Sequence, residues 1–178
     1  MSTLQVAHTA DLDPATLGAA HGLLRDVFEG DLTDHDWEHC LGGMHALAWD
    51  DGQLVGHASV VMRRLLHGGR ALRTGYVEGV GVRADRRRRG HAAAMMSALE
   101  RIIRGAYDAG ALGATEDAIP LYAGRGWLPW RGETWASTPG GQLLRTPDED
   151  DCIFVLAVAA PLDLDDSLTC DWREGDGW

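Results

Sequence analysis

Several things are scarce or missing in this sequence, and each absence removes a class of protein. No segment approaches the roughly eighteen apolar residues of a membrane span, and Met1 to Pro14 has neither a basic n-region nor an apolar h-region. No membrane partner and no signal peptide are therefore expected. Cys40, Cys152 and Cys170 are odd in number and widely spaced, which gives no disulfide framework and no CxxC knuckle. Reduced thiols in a cytoplasmic protein fit that usage. There is no GK[ST], so a P-loop is excluded. His35 and His39 are four apart, but no third ligand and no H-E-x-x-H accompany them, so no metal is expected. No Cys/His/Asp arrangement marks a nucleophile. Without repeats, low-complexity tracts or a linker, the 178 residues read as one domain over 1–178.

What is present is uneven charge. The formal net charge of −11 disfavours nucleic-acid partners held through phosphates. Yet Arg83 and Arg86 to Arg89 put five of the sixteen basic residues into one short segment. Acidic residues gather elsewhere, at Asp31, Asp34 and Asp36, at Asp148 to Asp151, and from Asp163 to Asp176. Positive charge in one place on an acidic background suggests two ligands of opposite sign.

The periodicity places these charges on elements. Leu4 to Ala7 is a short strand. Asp13-Pro14 opens a helix whose apolar positions are Leu17, Ala20, Leu24, Val27 and Phe28, stopped at Gly30. Thr33 to Asp36 reads as a capping box for a second helix ending near Gly42-Gly43. Strands follow at His45 to Trp49, Leu54 to Leu66 and Leu72 to Val82, with turns at Asp50-Asp51-Gly52 and His67-Gly68-Gly69. Gly75, Gly79 and Gly81 lie inside the third of these strands, where they suit a bulge or a close ligand approach. Gly90 to Ala109 is an amphipathic helix ended by Gly110. A strand at Ala111 to Ala114, a helix from about Ala118 to Arg125, and strands at Trp127 to Trp130 and Cys152 to Val158 complete the order, with a loop at Ser137 to Asp151. The fold class is mixed α/β: helices, an antiparallel meander, then a strand–helix–strand crossover.

The strongest local signal is the strand Tyr76 to Val82 followed by Arg87-Arg88-Arg89-Gly90-His91-Ala92 and the long helix. A basic, glycine-containing loop at a helix N-terminus offers free N–H groups and the positive end of the helix dipole to an anion. Arginines add charge-assisted contacts to phosphate. The R-x-x-G-x-A run in this setting resembles the acyl-CoA pyrophosphate loop of the GNAT superfamily.

Four further blocks resemble the aminoglycoside 2'-N-acetyltransferase family. They are Asp36-Trp37-Glu38-His39 with Gly42-Gly43-Met44-His45, the strand Gly75 to Val82, Leu121 to Trp127, and the terminal Cys170-Asp171-Trp172-Arg173-Glu174-Gly175-Asp176-Gly177-Trp178. The resemblance implies a GNAT fold, with a central mixed, mostly antiparallel sheet flanked by helices and a splayed, bulged strand at the acetyl-CoA site. It also implies acetyl-CoA as cosubstrate, a cytoplasmic homodimer and a cationic aminoglycoside-like substrate, and one branch of the family acetylates kasugamycin.

The resemblance also assigns roles. Glu78 matches the base that deprotonates the amine, and the alternative is a structural Glu paired with an arginine. The backbone N–H of Val80 matches the donor to the thioester carbonyl. Tyr122 matches the acid that protonates the departing thiolate, and its alternative is a ring packed in the core. Val80, Gly81, Val82, Arg87, Arg88, Arg89, Gly90, His91, Ala92 and Gly113 match the cofactor-binding positions. Asp31, Asp36, Glu78, Gly79, Glu149, Asp176 and the carboxylate of Trp178 match substrate-binding ones. Asp36 is equally explained by its capping box, and Glu149 by a solvated acidic loop. Trp127 and Trp130 read as core and dimer-surface residues. Gly113 stands where other members carry a serine, so a hydroxyl contact is missing there, and the loop before Gly90 is unusually rich in arginine.

Overall fold

The computed structural model describes residues 1–178. The chain forms two compact units, residues 1–61 with 77–102, and residues 62–76 with 103–178.

The first unit opens with β1 (Ser2–His8) and α1 (Pro14–Val27). Asp13 caps α1 by accepting the Thr16 N–H at 2.8 Å, and Pro14 fills a first-turn position where no N–H is needed. Gly30, at φ +89°, closes the chain after α1 by donating to Arg25 O. In α2 (Asp34–His39) the expected capping box is present: Thr33 Oγ1 accepts the Asp36 N–H, and Asp36 Oδ2 accepts the Thr33 N–H at 2.7 Å. β2 (Met44–Asp50) pairs antiparallel with β1 and with β3 (Gln53–His67), turning through Asp51 and Gly52, both at positive φ. The unit also takes the end of β4 (Arg70–Val82) and most of α3 (His91–Ala106). Its core joins Leu23 and Leu24 of α1 to Cys40, and Leu12 and Ala20 to Leu47.

In the second unit β5 (Ala109–Gly113) lies parallel to the Thr74–Tyr76 stretch of β4. β9 (Ile153–Ala157) runs antiparallel to β5, and the two-residue β6 (Leu128–Pro129) pairs with β9. α4 (Ile119–Ala123) precedes β6. β7 (Thr134–Ser137) and β8 (Leu143–Arg145) form a hairpin, and β10 (Leu168–Cys170) runs parallel to β7 and antiparallel to β3.

Three expectations need correction. α3 ends at Ala106 rather than Ala109, and Gly110 lies inside β5. The reason is Asp108: its carboxylate accepts the Arg73 N–H at 2.9 Å and its carbonyl accepts the Ala159 and Ala160 N–H groups, drawing the chain into the sheet. The supposed loop from Ser137 contains β8. Trp127 and Trp130 are each 1% exposed, so both are core residues and neither is on a dimer surface.

The glycines of β4 divide by role. At Gly75 a Cβ would meet Ile103 Cγ1 at 2.8 Å, and at Gly81 it would meet Leu24 Cδ2 at 3.0 Å, so these two admit helix side chains. Only Gly79 has a left-handed backbone, at φ +55°, and it breaks the pleat of the strand there.

Candidate active site

In the first unit, Glu78, Gly79 and Val80 are consecutive on β4 and all half-buried. An L-residue at position 79 is disfavoured twice: by the strain of φ +55°, and by a Cβ that would stand 2.7 Å from Cys40 Sγ. Glu78 engages a partner through its backbone carbonyl, which faces the Ser59 hydroxyl at 3.4 Å. Gly81 is buried and Val82 half-buried, and Val82 O accepts from Arg87 Nε at 3.3 Å.

The loop that follows turns through two left-handed residues, Arg88 at φ +59° and Gly90 at φ +85°. Such turns gather successive N–H groups into a concavity suited to an anion. Gly90 then supplies the first acceptor of α3, taking the Ala94 N–H at 2.9 Å. Arg87, Arg88 and Arg89 are exposed, whereas His91 is 7% exposed beneath them. Ala92 is half-buried on the first turn. The arginines are not equivalent. Arg83 is held by Asp85 and Gln53, and Arg86 lies 3.6 Å from Asp50. Arg89 is 3.9 Å from Asp50 yet remains exposed, as do Arg87 and Arg88.

Asp31 is exposed after α1, and Asp36 is half-buried with one oxygen committed to Thr33. The structural reading of Asp36 is thus realised.

In the second unit Tyr122 is 4% exposed on α4, its ring edge-on to Trp127 at 6.3 Å. Burial pushes its phenol up to about 12, so the hydroxyl keeps its proton at any physiological pH. Gly113 ends β5, and a Cβ there would lie 3.9 Å from the Tyr76 hydroxyl.

The acidic loop sorts its neighbours by partner. Asp150 accepts from Thr134 N, Thr134 Oγ1 and the guanidinium of Arg145, whose hydrogen bonds hold its carboxyl down to about 2. It is a structural pin. Glu149, half-buried beside it, has its carboxyl pushed up by burial and then by the charges of Asp176 and Asp148, with Arg173 opposing. Glu149 and Asp176 therefore lie close enough to repel, an arrangement that a cation relieves.

The C-terminal segment docks. Trp178 is 5% exposed, and its indole N–H donates to Thr146 Oγ1 at 3.0 Å. Arg173 donates to the Trp178 carbonyl oxygen and, through Nε, to Asp176 O at 3.0 Å. The guanidinium groups of Arg63 and Arg173 lie over the Tyr76 ring, 4.7 Å and 5.4 Å from its centroid.

Two groups escaped the sequence reading. One is Arg63, buried at an inward position of β3; the chemistry of a Val-Met-Arg-Arg-Leu-Leu run conceals which arginine points in. The other is the pair His45 and His57, both fully buried, whose Nδ1 and Nε2 atoms stand 2.9 Å apart. Their place two registers apart in a hairpin was the available signal.

Residues 11–129 match the family model of the acetyltransferase (GNAT) domain. Among solved structures, ElaA of Escherichia coli superposes with TM-score 0.61 at 22% identity, covering 89% of this chain and 99% of that one. An acyl-CoA N-acyltransferase of Pseudomonas aeruginosa gives TM-score 0.61 at 21% identity, covering 88% and 100%. Strand, basic loop and helix thus define a GNAT acetyltransferase, an enzyme class that moves an acetyl group from acetyl-CoA to an amine. A curated aminoglycoside 2'-N-acetyltransferase of Mycolicibacterium fortuitum is 50% identical over all of this chain and 93% of its own length. The chain belongs to that family.

Proposed function

We propose that this protein acetylates the 2'-amine of an aminoglycoside directly from acetyl-CoA, in a ternary complex without an acyl-enzyme. The observation that carries the reading is the 50% identity along the whole chain to an enzyme of that name. The left-handed Gly79 between Glu78 and Val80 supports the chemistry.

The cosubstrate's pyrophosphate sits on the turn Arg87-Arg88-Arg89-Gly90-His91-Ala92 at the N-terminus of α3. Its pantetheine arm follows the backbone of Val80, Gly81 and Val82. Asp31, Asp36, Glu149, Asp176 and Trp178 receive the cationic sugar, each carboxylate a modest, screened contribution. Glu78 removes the amine proton directly or through water, and the nitrogen lone pair attacks the thioester carbon. The Val80 N–H holds the oxyanion. As the C–S bond breaks, the thiolate takes the proton of Tyr122, which its burial has kept on oxygen.

A cytoplasmic homodimer belongs to the same proposal, supported by Leu143 and Leu144 on β8, 61% and 52% exposed. The outcome is resistance or producer self-protection. The test is a product analysis: incubation with acetyl-CoA and a panel of aminoglycosides that includes kasugamycin, followed by NMR of the acetylated drug. An acetyl group on the 2'-nitrogen is expected. Acetylation at another nitrogen overturns the regiochemistry, and no acetylated drug overturns the substrate class.

A further inference from the structure

His57 and His45 are ionisable, fully buried, and used by no step above. They belong to one hydrogen-bonded line inside the first unit. The Gly42 N–H donates to Thr9 Oγ1 at 2.9 Å, and Thr9 Oγ1 stands 2.8 Å from His45 Nε2. His45 Nδ1 is 2.9 Å from His57 Nε2, and His57 Nδ1 is 2.8 Å from the carbonyl oxygen of Gly79. Trp37 lies against the His57 ring at 5.9 Å and stacks on His21 at 4.9 Å, which leaves the imidazole little freedom to turn.

The proton positions follow from the far end. A carbonyl oxygen only accepts, so His57 carries its proton on Nδ1. Burial holds both imidazoles down to about 4, so each is neutral and carries one proton. His57 Nε2 is therefore bare and accepts from His45 Nδ1–H. His45 Nε2 is bare in turn and accepts the Thr9 hydroxyl proton at 2.8 Å, a shorter contact than the 3.2 Å which that hydroxyl makes with the Gly43 carbonyl. Every donor points the same way, from Gly42 towards Gly79, and such chains polarise along their length.

The carbonyl at the end of this chain and the N–H of Val80 are two ends of one peptide group. Drawing electron density towards the Gly79 oxygen makes the Val80 N–H a stronger donor. Anchoring that oxygen also fixes the peptide plane beside a residue whose left-handed backbone would otherwise leave it loose.

We propose that His57, oriented by His45 and Thr9, is a positioning residue for acetyl transfer, holding and polarising the Gly79–Val80 peptide so that its N–H meets the oxyanion. The inference rests on the reading of Val80 as the oxyanion donor. It adds two buried histidines and Thr9 to the machinery although none touches substrate.

Two measurements on the full chain test it. The first is nitrogen NMR of the histidine rings in the wild-type protein, with the amide signal of Val80 followed in His57→Asn and His57→Leu. Asn keeps an N–H for the Gly79 carbonyl, and Leu has none. The second is kcat and KM of the same proteins by thiol release. The proposal expects Nδ1–H tautomers at both rings, a Val80 amide proton that moves upfield in the Leu variant and returns in the Asn variant, and a kcat reduced roughly tenfold to a hundredfold by Leu. Asn restores most of kcat, and KM for acetyl-CoA stays within about twofold in both. An Nε2–H tautomer at His57 overturns the proposal even where the Leu variant fails to fold. So does an unmoved Val80 signal, or an Asn variant no better than Leu. A displaced Val80 signal with unchanged kcat instead refutes the oxyanion role of Val80, and the catalytic part of the proposal with it.

Discussion

Arg63 donates through Nη2 to the carbonyl of Gly177 at 2.7 Å, from a side chain only 4% exposed. Its Nε donates to Asp171 Oδ1 at 2.8 Å, so one buried cation of β3 grips the C-terminal segment at two points. Trp178 fills the position next to the second grip.

Trp178→Ala should lower unfolding stability by about 3 kcal/mol, because it removes a large buried ring and its bond to Thr146. In the proposed reaction it should also raise KM for aminoglycoside more than KM for acetyl-CoA. Thermal melts and steady-state kinetics check both. An unchanged melting temperature would contradict the docking.

Gly79→Ala should abolish most activity and destabilise the protein by about 1–3 kcal/mol, since it forces a strained backbone and a Cβ 2.7 Å from Cys40 Sγ. Gly18→Ala is the control. In the middle of α1, with nothing within 4 Å of a new Cβ, it should stabilise by up to about 1 kcal/mol and leave activity alone. Chemical denaturation of the pair checks the contrast. Equal effects at the two positions would refute it.

Much of this was legible in the sequence, and what was not has physical causes. The capping box at Thr33 and the glycine-marked turns follow from local chemistry, and local chemistry is what sequence carries. β8 and β10 were missed because a short strand in a Gly, Pro and Asp-rich stretch is made by its neighbours: β10 exists through pairing with β7 and β3. Asp36 showed its cap in the sequence, and Asp150 did not show its arginine. The difference is separation, three residues to Thr33 against a pin that joins Asp150 to Thr134 and Arg145 across a hairpin. The histidine line was hidden for the same reason, since it needs the hairpin register before His45 and His57 become neighbours.

Acid should unfold the protein through those histidines. In the fold both imidazoles are depressed to about 4, while in the unfolded chain they take up protons below about 6.5. The unfolded state binds more protons between those values, so their contribution is present at neutral pH and is lost as pH falls from about 6.5 to about 4. Denaturation series between pH 7 and pH 4 should show the loss, and His57→Asn should flatten it. A variant with the wild-type slope would contradict the assignment.

Glu78→Gln should slow turnover most at low pH, where the substrate amine is protonated and needs a base, with the gap narrowing as pH rises. Tyr122→Phe should behave differently: its kcat falls roughly a hundredfold at all pH values below about 10, because the wild-type phenol does not ionise in that range. The pH–rate profiles separate the two roles, and parallel profiles for both variants would refute the division of labour.

The most direct test of the whole account is release of free thiol from acetyl-CoA in the presence of the purified protein and an aminoglycoside. Stoichiometric thiol and acetylated drug are expected, with no thiol when the drug is omitted. No thiol with any aminoglycoside, kasugamycin included, would contradict it.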